Sequence, residues 1–201
     1  MVIRDDGKLS SDYKSRLYHT YRASGVSTDL NRKAKETEPL PNLVINGYDL
    51  LGKDWLETAK HWREAGFPTP PVMISVANRT ETAARLYYAF TRGRIHVDEL
   101  KEASRTLHID SKVLDKAEDR DEVSDLGTAL EKSSEEENGA ADGKLLSKQD
   151  QAEVLRRTVD TVGRIGEPGE QIQNVISVGM LTEGWDTLTV THIMGLRAFS
   201  S

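Results

Sequence analysis

The chain has 201 residues, a formal net charge of −6 at pH 7 and no cysteine. This length suits one domain with an extension, and the absence of cysteine excludes disulfides, thiolate metal sites and a cysteine nucleophile. No apolar run reaches the roughly 18 residues of a membrane-spanning helix, and residues 1–10 lack the apolar core of a secretory signal, so we expect a cytoplasmic protein.

Residues 1–51 show no clear hydrophobic period. Their charged part, residues 31–41, ends in Pro39-Leu40-Pro41, a composition typical of a linker. We therefore predict a helical or irregular N-terminal extension or connector over 1–51. The main folded unit is predicted over 52–201.

From residue 52 the chain alternates helical and strand patterns. Trp55 and Trp62 recur at helical spacing in a predicted helix that ends at Gly66, and both are expected in the core. Asn78, with Glu81 three residues later, predicts the capped start of a second helix. Short apolar runs predict strands over 72–77, 105–109, 174–178 and 189–194, and a last helical stripe covers 152–162. The alternation predicts an α/β fold, a parallel sheet with helices on both faces.

An acidic segment interrupts this pattern. Residues 111–143 contain 11 acidic and 4 basic side chains, so we predict a solvated, flexible insertion over about 111–146. The rest of the chain is close to neutral. Bulk charge therefore predicts no general attraction to nucleic acid or to membranes, and any nucleic-acid contact must be local.

Two loops matter most, because ligands of parallel sheets bind outside the carboxyl ends of the strands. One loop is 78–80, and the other is 179–186. In the second, Gly184 permits close backbone approach to a ligand, and Glu183 and Asp186 can accept hydrogen bonds from a ribose hydroxyl or an arginine. From spacing alone an ordinary turn, with Asp186 capping the local chain, remains the alternative.

Two stretches carry a family resemblance. They are GEQIQNVISVGMLTEGWD, from Gly169 to Asp186, and VTHIMGLRAF, from Val190 to Phe199. Together they resemble the Res subunit of type III restriction enzymes and, more broadly, the second RecA-like lobe of superfamily-two helicases and translocases. MLTEGWD resembles helicase motif V, and the predicted strand that ends in Ala77-Asn-Arg-Thr80 resembles the motif IV region.

The resemblance implies a RecA-like sheet and a site for ATP between two lobes that move along duplex DNA. It places a nucleotide-binding role on Glu183, Gly184 and Asp186, and a DNA-binding role on Asn78, Arg79, Thr80 and Thr182. One departure is Val178, where many relatives carry a serine or threonine, so the resemblance gives no hydroxyl contact to phosphate at this position.

The sequence lacks the other parts of such a motor. It has no Walker phosphate loop and no Asp-Glu-x-His motif, and it ends before a segment that would match motif VI. Phosphoryl transfer needs a phosphate cradle, a metal carboxylate and an arginine. We therefore expect a fragment without catalytic or metal-binding residues that does not hydrolyse ATP alone, with ATP and Mg²⁺ bound only in the parent protein.

The implied partners are duplex DNA, the first RecA-like lobe and motif VI segment of the same polypeptide, and a methyltransferase modification subunit. No membrane partner is expected. The alternative function is a non-catalytic DNA- or protein-binding module of a helicase-like protein. The five histidines show no metal-ligand spacing, and His192, on a predicted strand, is expected to be a packed or surface residue.

Overall fold

The computed structural model describes residues 20–109, 148–178 and 188–197 of the chain. These residues form a sheet with helices packed against it. In chain order the elements are helix α1 (Val26–Asn31), helix α2 (Asn42–Glu64), strand β1 (Val72–Ala77), helix α3 (Thr80–Thr91), strand β2 (Thr106–Ile109), helix α4 (Lys148–Asp160), strand β3 (Asn174–Val178) and strand β4 (Val190–Leu196).

The strands pair in the order β2-β3-β1-β4, and every pairing is parallel. β1 and β3 have the bounds that their apolar runs predicted, and β2 and β4 differ from the prediction by at most about two residues. The predicted α/β class with a parallel sheet is therefore confirmed, and the arrangement is consistent with a RecA-like fold.

Helices cover both faces of the sheet, as the alternating pattern predicted. Helices α1, α2 and α3 share one apolar core with Met73 and Ala77 of β1. On the opposite face, Leu155 of α4 lies in a second core with Ile74 and Val76. All six residues of β1 are buried, because a central strand of a parallel sheet has a helical layer on each side.

Helix α2 begins earlier than its sequence pattern indicated. The prediction placed its start near Gly52, whereas the helix begins at Asn42, directly after Pro41. Glycine lowers helix propensity by about 1 kcal/mol, so Gly47 and Gly52 obscured the first half of the helix. The boundary between residues 51 and 52 therefore falls inside α2. The division into an extension and a main unit stays a prediction.

Residues ahead of Gly52 also contribute to the core. Val26 and Leu30 of α1, together with Val44 and Tyr48 of α2, are buried in the same core as β1 and α3. Burial raises the pKa of the Tyr48 phenol, and the nearby Ser75 hydroxyl lowers it only in part. This phenol therefore stays neutral at physiological pH. The acidic insertion over 111–146 lies outside the described residues.

Trp55 anchors α2 to the sheet. Its side chain is 1% exposed, and its indole N–H donates a 3.1 Å hydrogen bond to the carbonyl of Pro71, directly before β1. Trp62, also expected in the core, is instead half-buried and stacks on Phe67 with 4.4 Å between ring centroids. The core expectation therefore holds for Trp55 and fails for Trp62, because Trp62 lies near the open end of the helix.

Candidate functional site

The carboxyl ends of β1 and β3 lie side by side. These strands are hydrogen-bonded neighbours, and Ala77, the last residue of β1, is paired with Val178, the last residue of β3. The loops that begin at residues 78 and 179 therefore start from adjacent positions at the carboxyl-terminal end of the sheet. Thr182, Glu183, Gly184 and Asp186 lie outside the described residues, whereas Asn78, Arg79 and Thr80 lie within them.

The side chain of Asn78 does not cap helix α3. Its amide donates hydrogen bonds to the carbonyl of Leu30 at 3.1 Å and to the Asn31 side chain at 2.7 Å. The cap position of α3 is Arg79, without a side-chain hydrogen bond to the helix. The predicted capping box was therefore wrong, because the Asn78 amide bonds to the end of α1 instead.

Arg79 is also held within the chain. One guanidinium nitrogen donates a short hydrogen bond to the carbonyl of Asn31, and Nε lies 3.3 Å from a Glu81 carboxylate oxygen. The side chain is 35% exposed, so one side of the guanidinium faces solvent. Thr80, the first residue of α3, is half-buried. Of the residues assigned to DNA, Asn78 and Arg79 thus already have partners inside the protein.

These contacts belong to a larger set that holds residues 25–41, which we call the strap, against β1 and α3. The Thr82 hydroxyl donates to the carbonyl of Leu30 at 2.9 Å. Arg85 donates to the carbonyl of Glu38 at 3.2 Å and to that of Pro39. Arg94 donates to the carbonyl of Thr37 at 3.0 Å. The strap is therefore held mainly by hydrogen bonds to its main-chain carbonyl oxygens, which do not depend on the side chains of the residues that carry them.

Arg85 also forms the most buried ion pair of the strap. Its guanidinium is 1% exposed and lies 2.8 Å from a carboxylate oxygen of Asp29. No sequence pattern indicated this role, since Arg85 lies within the apolar stripe of α3. An arginine can be buried when its several donors find fixed acceptors.

Two carboxylates of the strap, Asp29 and Glu38, lie next to arginines. Partial burial acts to raise the pKa of Asp29, but hydrogen bonds and charges from Arg32 and Arg85 outweigh it and hold the pKa below its ordinary value. The main-chain N–H of Lys35 and the guanidinium of Arg32 likewise lower the pKa of Glu38. Both carboxylates are therefore stabilised in the ionised form.

An open cleft of about 520 Å³ lies beside the start of α3. Its walls include Lys35 and Glu36 of the strap, Thr80 and Glu81 of α3, and His108 of β2. Two carboxylates oppose one ammonium in this lining, so the cleft itself does not favour a phosphate. Of the side chains described beside this cleft, the half-exposed Arg79 guanidinium is the better candidate to meet an anion.

Comparisons of the chain with protein-family models, curated proteins and solved structures find no match. Among the described residues, no group of three or more histidine, aspartate or glutamate side chains could hold a metal ion. Within the same ranges, no helix has the length and apolar character needed to cross a bilayer.

Proposed function

We propose that the chain is the second RecA-like lobe of an ATP-dependent DNA translocase or helicase subunit of a type III restriction-modification system. One observation carries the proposal. The in-register ends of β1 and β3, at Ala77 and Val178, start the motif IV-like and motif V-like loops at neighbouring points of one sheet edge. A nucleotide cleft and a DNA path that share a lobe need these loops together.

In this proposal Glu183, Gly184 and Asp186 face the nucleotide, and Thr182 lies between the nucleotide and the DNA. Thr80 and the main chain of residues 78–80 approach a DNA phosphate. Asn78 and Arg79 hold that loop in place through Leu30 and Asn31, and the exposed side of Arg79 adds positive charge. The strap thus supports the DNA-facing loop.

The remaining parts come from the parent protein in the cytoplasm. ATP and Mg²⁺ bind with the first RecA-like lobe, because the phosphate loop and the metal carboxylate are not in this sequence. Motif VI supplies the arginine that meets developing charge. A methyltransferase subunit supplies recognition of the DNA site. The chain alone is therefore proposed neither to hold ATP and Mg²⁺ nor to hydrolyse ATP.

The test is ATP hydrolysis by the polypeptide that carries both lobes, with and without duplex DNA. Asp186→Ala is expected to lower DNA-stimulated turnover roughly 10²-fold, the cost of misplacing a reacting group. Asp160→Ala, at the exposed end of α4, is the matched control and should leave turnover unchanged. Equal turnover in the Asp186 variant and the control would contradict the proposal.

A second function, a non-catalytic binding module of a helicase-like protein, is favoured by one observation. The side chains of Asn78 and Arg79 are already bonded to α1. Under this alternative, both variants and the parent show no DNA-stimulated turnover, while the folded chain still binds duplex DNA or a partner subunit in a fluorescence anisotropy titration.

A further inference from the structure

A groove of about 400 Å³ lies between the second half of α2 and the start of β4, away from the loops after β1 and β3. Its walls include Thr58, Trp62 and Phe67 on one side and Thr191 and His192 on the other. The size is that of a site for a small molecule. Stacking of Trp62 on Phe67 makes one wall aromatic.

A β-bulge brings two consecutive side chains of β4 into this groove. Val72 of β1 pairs with Val190, and the next residue, Met73, pairs with His192. Thr191 is therefore the additional residue of the bulge. In a regular strand, consecutive side chains point to opposite faces. A bulge re-aims one of them, which is why Thr191 and His192 both line the groove.

Thr191, His192 and Asp54 form a hydrogen-bonded chain. His192 Nε2 lies 3.0 Å from a carboxylate oxygen of Asp54, and His192 Nδ1 lies 2.8 Å from the Thr191 hydroxyl oxygen. An ionised carboxylate can only accept, so Nε2 carries the proton of the neutral ring. Nδ1 then holds the lone pair and accepts from the Thr191 hydroxyl.

Burial holds the hydrogen-bonded side chains of Thr191, His192 and Asp54 in one arrangement. The His192 side chain is 4% exposed and that of Asp54 is 22% exposed. The Thr191 hydroxyl therefore lies next to a base, His192, and Asp54 orients that base. This arrangement activates a hydroxyl nucleophile. The sequence separation of 138 residues between Asp54 and His192 hid it from sequence reasoning.

Two further donors lie in the same walls. The Thr58 hydroxyl and the indole N–H of Trp62 are buried and have no hydrogen-bond partner among the described residues. Buried donors without partners are uncommon in folded proteins. In this groove they are suited to a carbonyl oxygen that gains negative charge during a reaction.

We propose that this groove is a site for acyl transfer to Thr191 from small carboxylic esters that carry an aromatic or apolar group. The Thr191 oxygen attacks the ester carbonyl carbon, and its proton passes to His192 Nδ1. Collapse of the tetrahedral intermediate breaks the bond to the leaving alcohol, which takes the proton from His192. Water, activated by the same nitrogen, then hydrolyses the acyl-threonine and releases the carboxylic acid.

Asp54 orients the ring and stabilises its positive form. The aromatic pair Trp62 and Phe67 holds the apolar part of the ester. This activity is independent of ATP and DNA, so its failure would leave the proposed motor role untouched, and the failure of the motor role would leave this site untouched.

The first experiment treats the full 201-residue chain with an aryl fluorophosphonate, which transfers its phosphonyl group to activated hydroxyls with loss of fluoride. Intact-mass and peptide spectra should show one adduct, on Thr191. Thr191→Ser should keep the adduct, and Thr191→Val should abolish it. The control is Thr106→Val. Thr106 is the first residue of β2, at the opposite edge of the sheet, and its hydroxyl donates to the carbonyl of Glu102, so this variant should label normally.

The second experiment follows hydrolysis of p-nitrophenyl acetate and p-nitrophenyl butyrate. We expect the hydrolysis rate of Thr191→Val to fall to the background rate that other nucleophilic side chains of the protein give. Asp54→Asn should reduce the Thr191-dependent rate by about 10²-fold or more, the usual contribution of a positioned base, because the amide no longer fixes the ring tautomer. Equal rates and equal labelling in Thr191→Val and in the unaltered chain would overturn the proposal. So would the absence of any adduct and of any difference in rate.

Discussion

The guanidinium of Arg85 meets two carbonyl groups and one carboxylate of the strap while only 1% exposed. Removing one partner of a buried ion pair leaves the other uncompensated, which costs about 3–5 kcal/mol. Asp29 retains some contact with solvent, so we expect Arg85→Ala to lower the free energy of unfolding by about 3 kcal/mol, measured by urea denaturation.

Arg157→Ala is the control for this prediction. Arg157 is also a helical arginine paired with a carboxylate, Glu167 at 2.9 Å, but 64% of its side chain is exposed. Exposed pairs contribute about 0–1 kcal/mol, so this variant should unfold almost as the unaltered chain does. Similar losses in the two variants would show that burial at Arg85 is not what stabilises the strap.

Asp29 should make stability depend on acid pH. Its pKa is lowered in the folded state, since Arg32 and Arg85 together outweigh the opposing effect of burial. A carboxylate with a lowered folded pKa stabilises the fold above its unfolded pKa, about 3.9, and this stabilisation is lost as the pH falls through the folded pKa.

Asp29→Asn should therefore lower the free energy of unfolding near pH 7 and flatten its decline below about pH 4. Denaturation curves collected between neutral and acid pH test this expectation. Glu64→Gln is the control, since Glu64 is well exposed and has only a weak contact with Lys60 at 3.9 Å. A decline just as steep in Asp29→Asn would contradict the assignment.

Residue types alone could not show which partners these side chains choose. Asn78 was a good candidate for a helix cap from its position before Glu81, yet its amide reaches Leu30 and Asn31, nearly fifty residues earlier in the chain. A helix cap and a tertiary contact compete for the same asparagine side chain. Local sequence does not show how strongly the tertiary contact binds it. The roles assigned to Thr182, Glu183, Gly184 and Asp186 stay predictions.

At the scale of single elements, helix α2 owes its position to a glycine. A Cβ built on Gly52 would lie 2.2 Å from Cγ2 of Val97. In an exposed helix an alanine would stabilise by about 1 kcal/mol relative to glycine. Here overpacking should dominate, so we expect Gly52→Ala to destabilise by about 1–3 kcal/mol.

Thermal unfolding of Gly52→Ala and of Lys53→Ala tests this packing. Lys53 is the next residue of the same helix and is exposed, so its replacement should change stability by less than about 0.5 kcal/mol. A stabilised Gly52→Ala chain would mean that α2 and Val97 lie farther apart than described.

Element type was predictable where the local signal was strong. The mainly apolar runs of β1 and β3 predicted both strands with their bounds, because a strand buried on both faces lacks the regular polar alternation of a half-exposed strand. The first half of α2 escaped prediction since its two glycines weaken the helical pattern. Helix α1 is only 6 residues long, too short for a periodic signal.

For the molecule as a whole, β1 and β3 each have a neighbour on both sides, whereas β4 is the last strand in the described order. Amides in the centre of a sheet open only with global unfolding, and edge amides open more easily. We therefore expect native-state hydrogen exchange to be slow in the internal strand β1 and measurably faster in β4. Equal protection in both strands would indicate a further strand beside β4.

Strand order itself was not predictable from this sequence. Alternating helices and strands predicted the class of fold, since that alternation leaves few ways to bury each apolar face. The position of β3 between β2 and β1 depends on how the faces of three strands fit together, which no local pattern encodes. For the same reason the neighbouring ends of β1 and β3, which carry the proposed function, became visible only in the structure.

The strand order also has a consequence for folding during synthesis. A growing chain that has reached Ile109 contains β1 and β2, but these strands are not neighbours because β3 separates them. Translation of the residues up to Asn174 takes several seconds at about 5–20 residues per second, and the sheet then closes through contacts between distant residues, which form slowly. The nascent chain thus exposes an apolar strand without a native partner throughout that interval, so its yield in cells should depend on chaperones that bind unfolded segments.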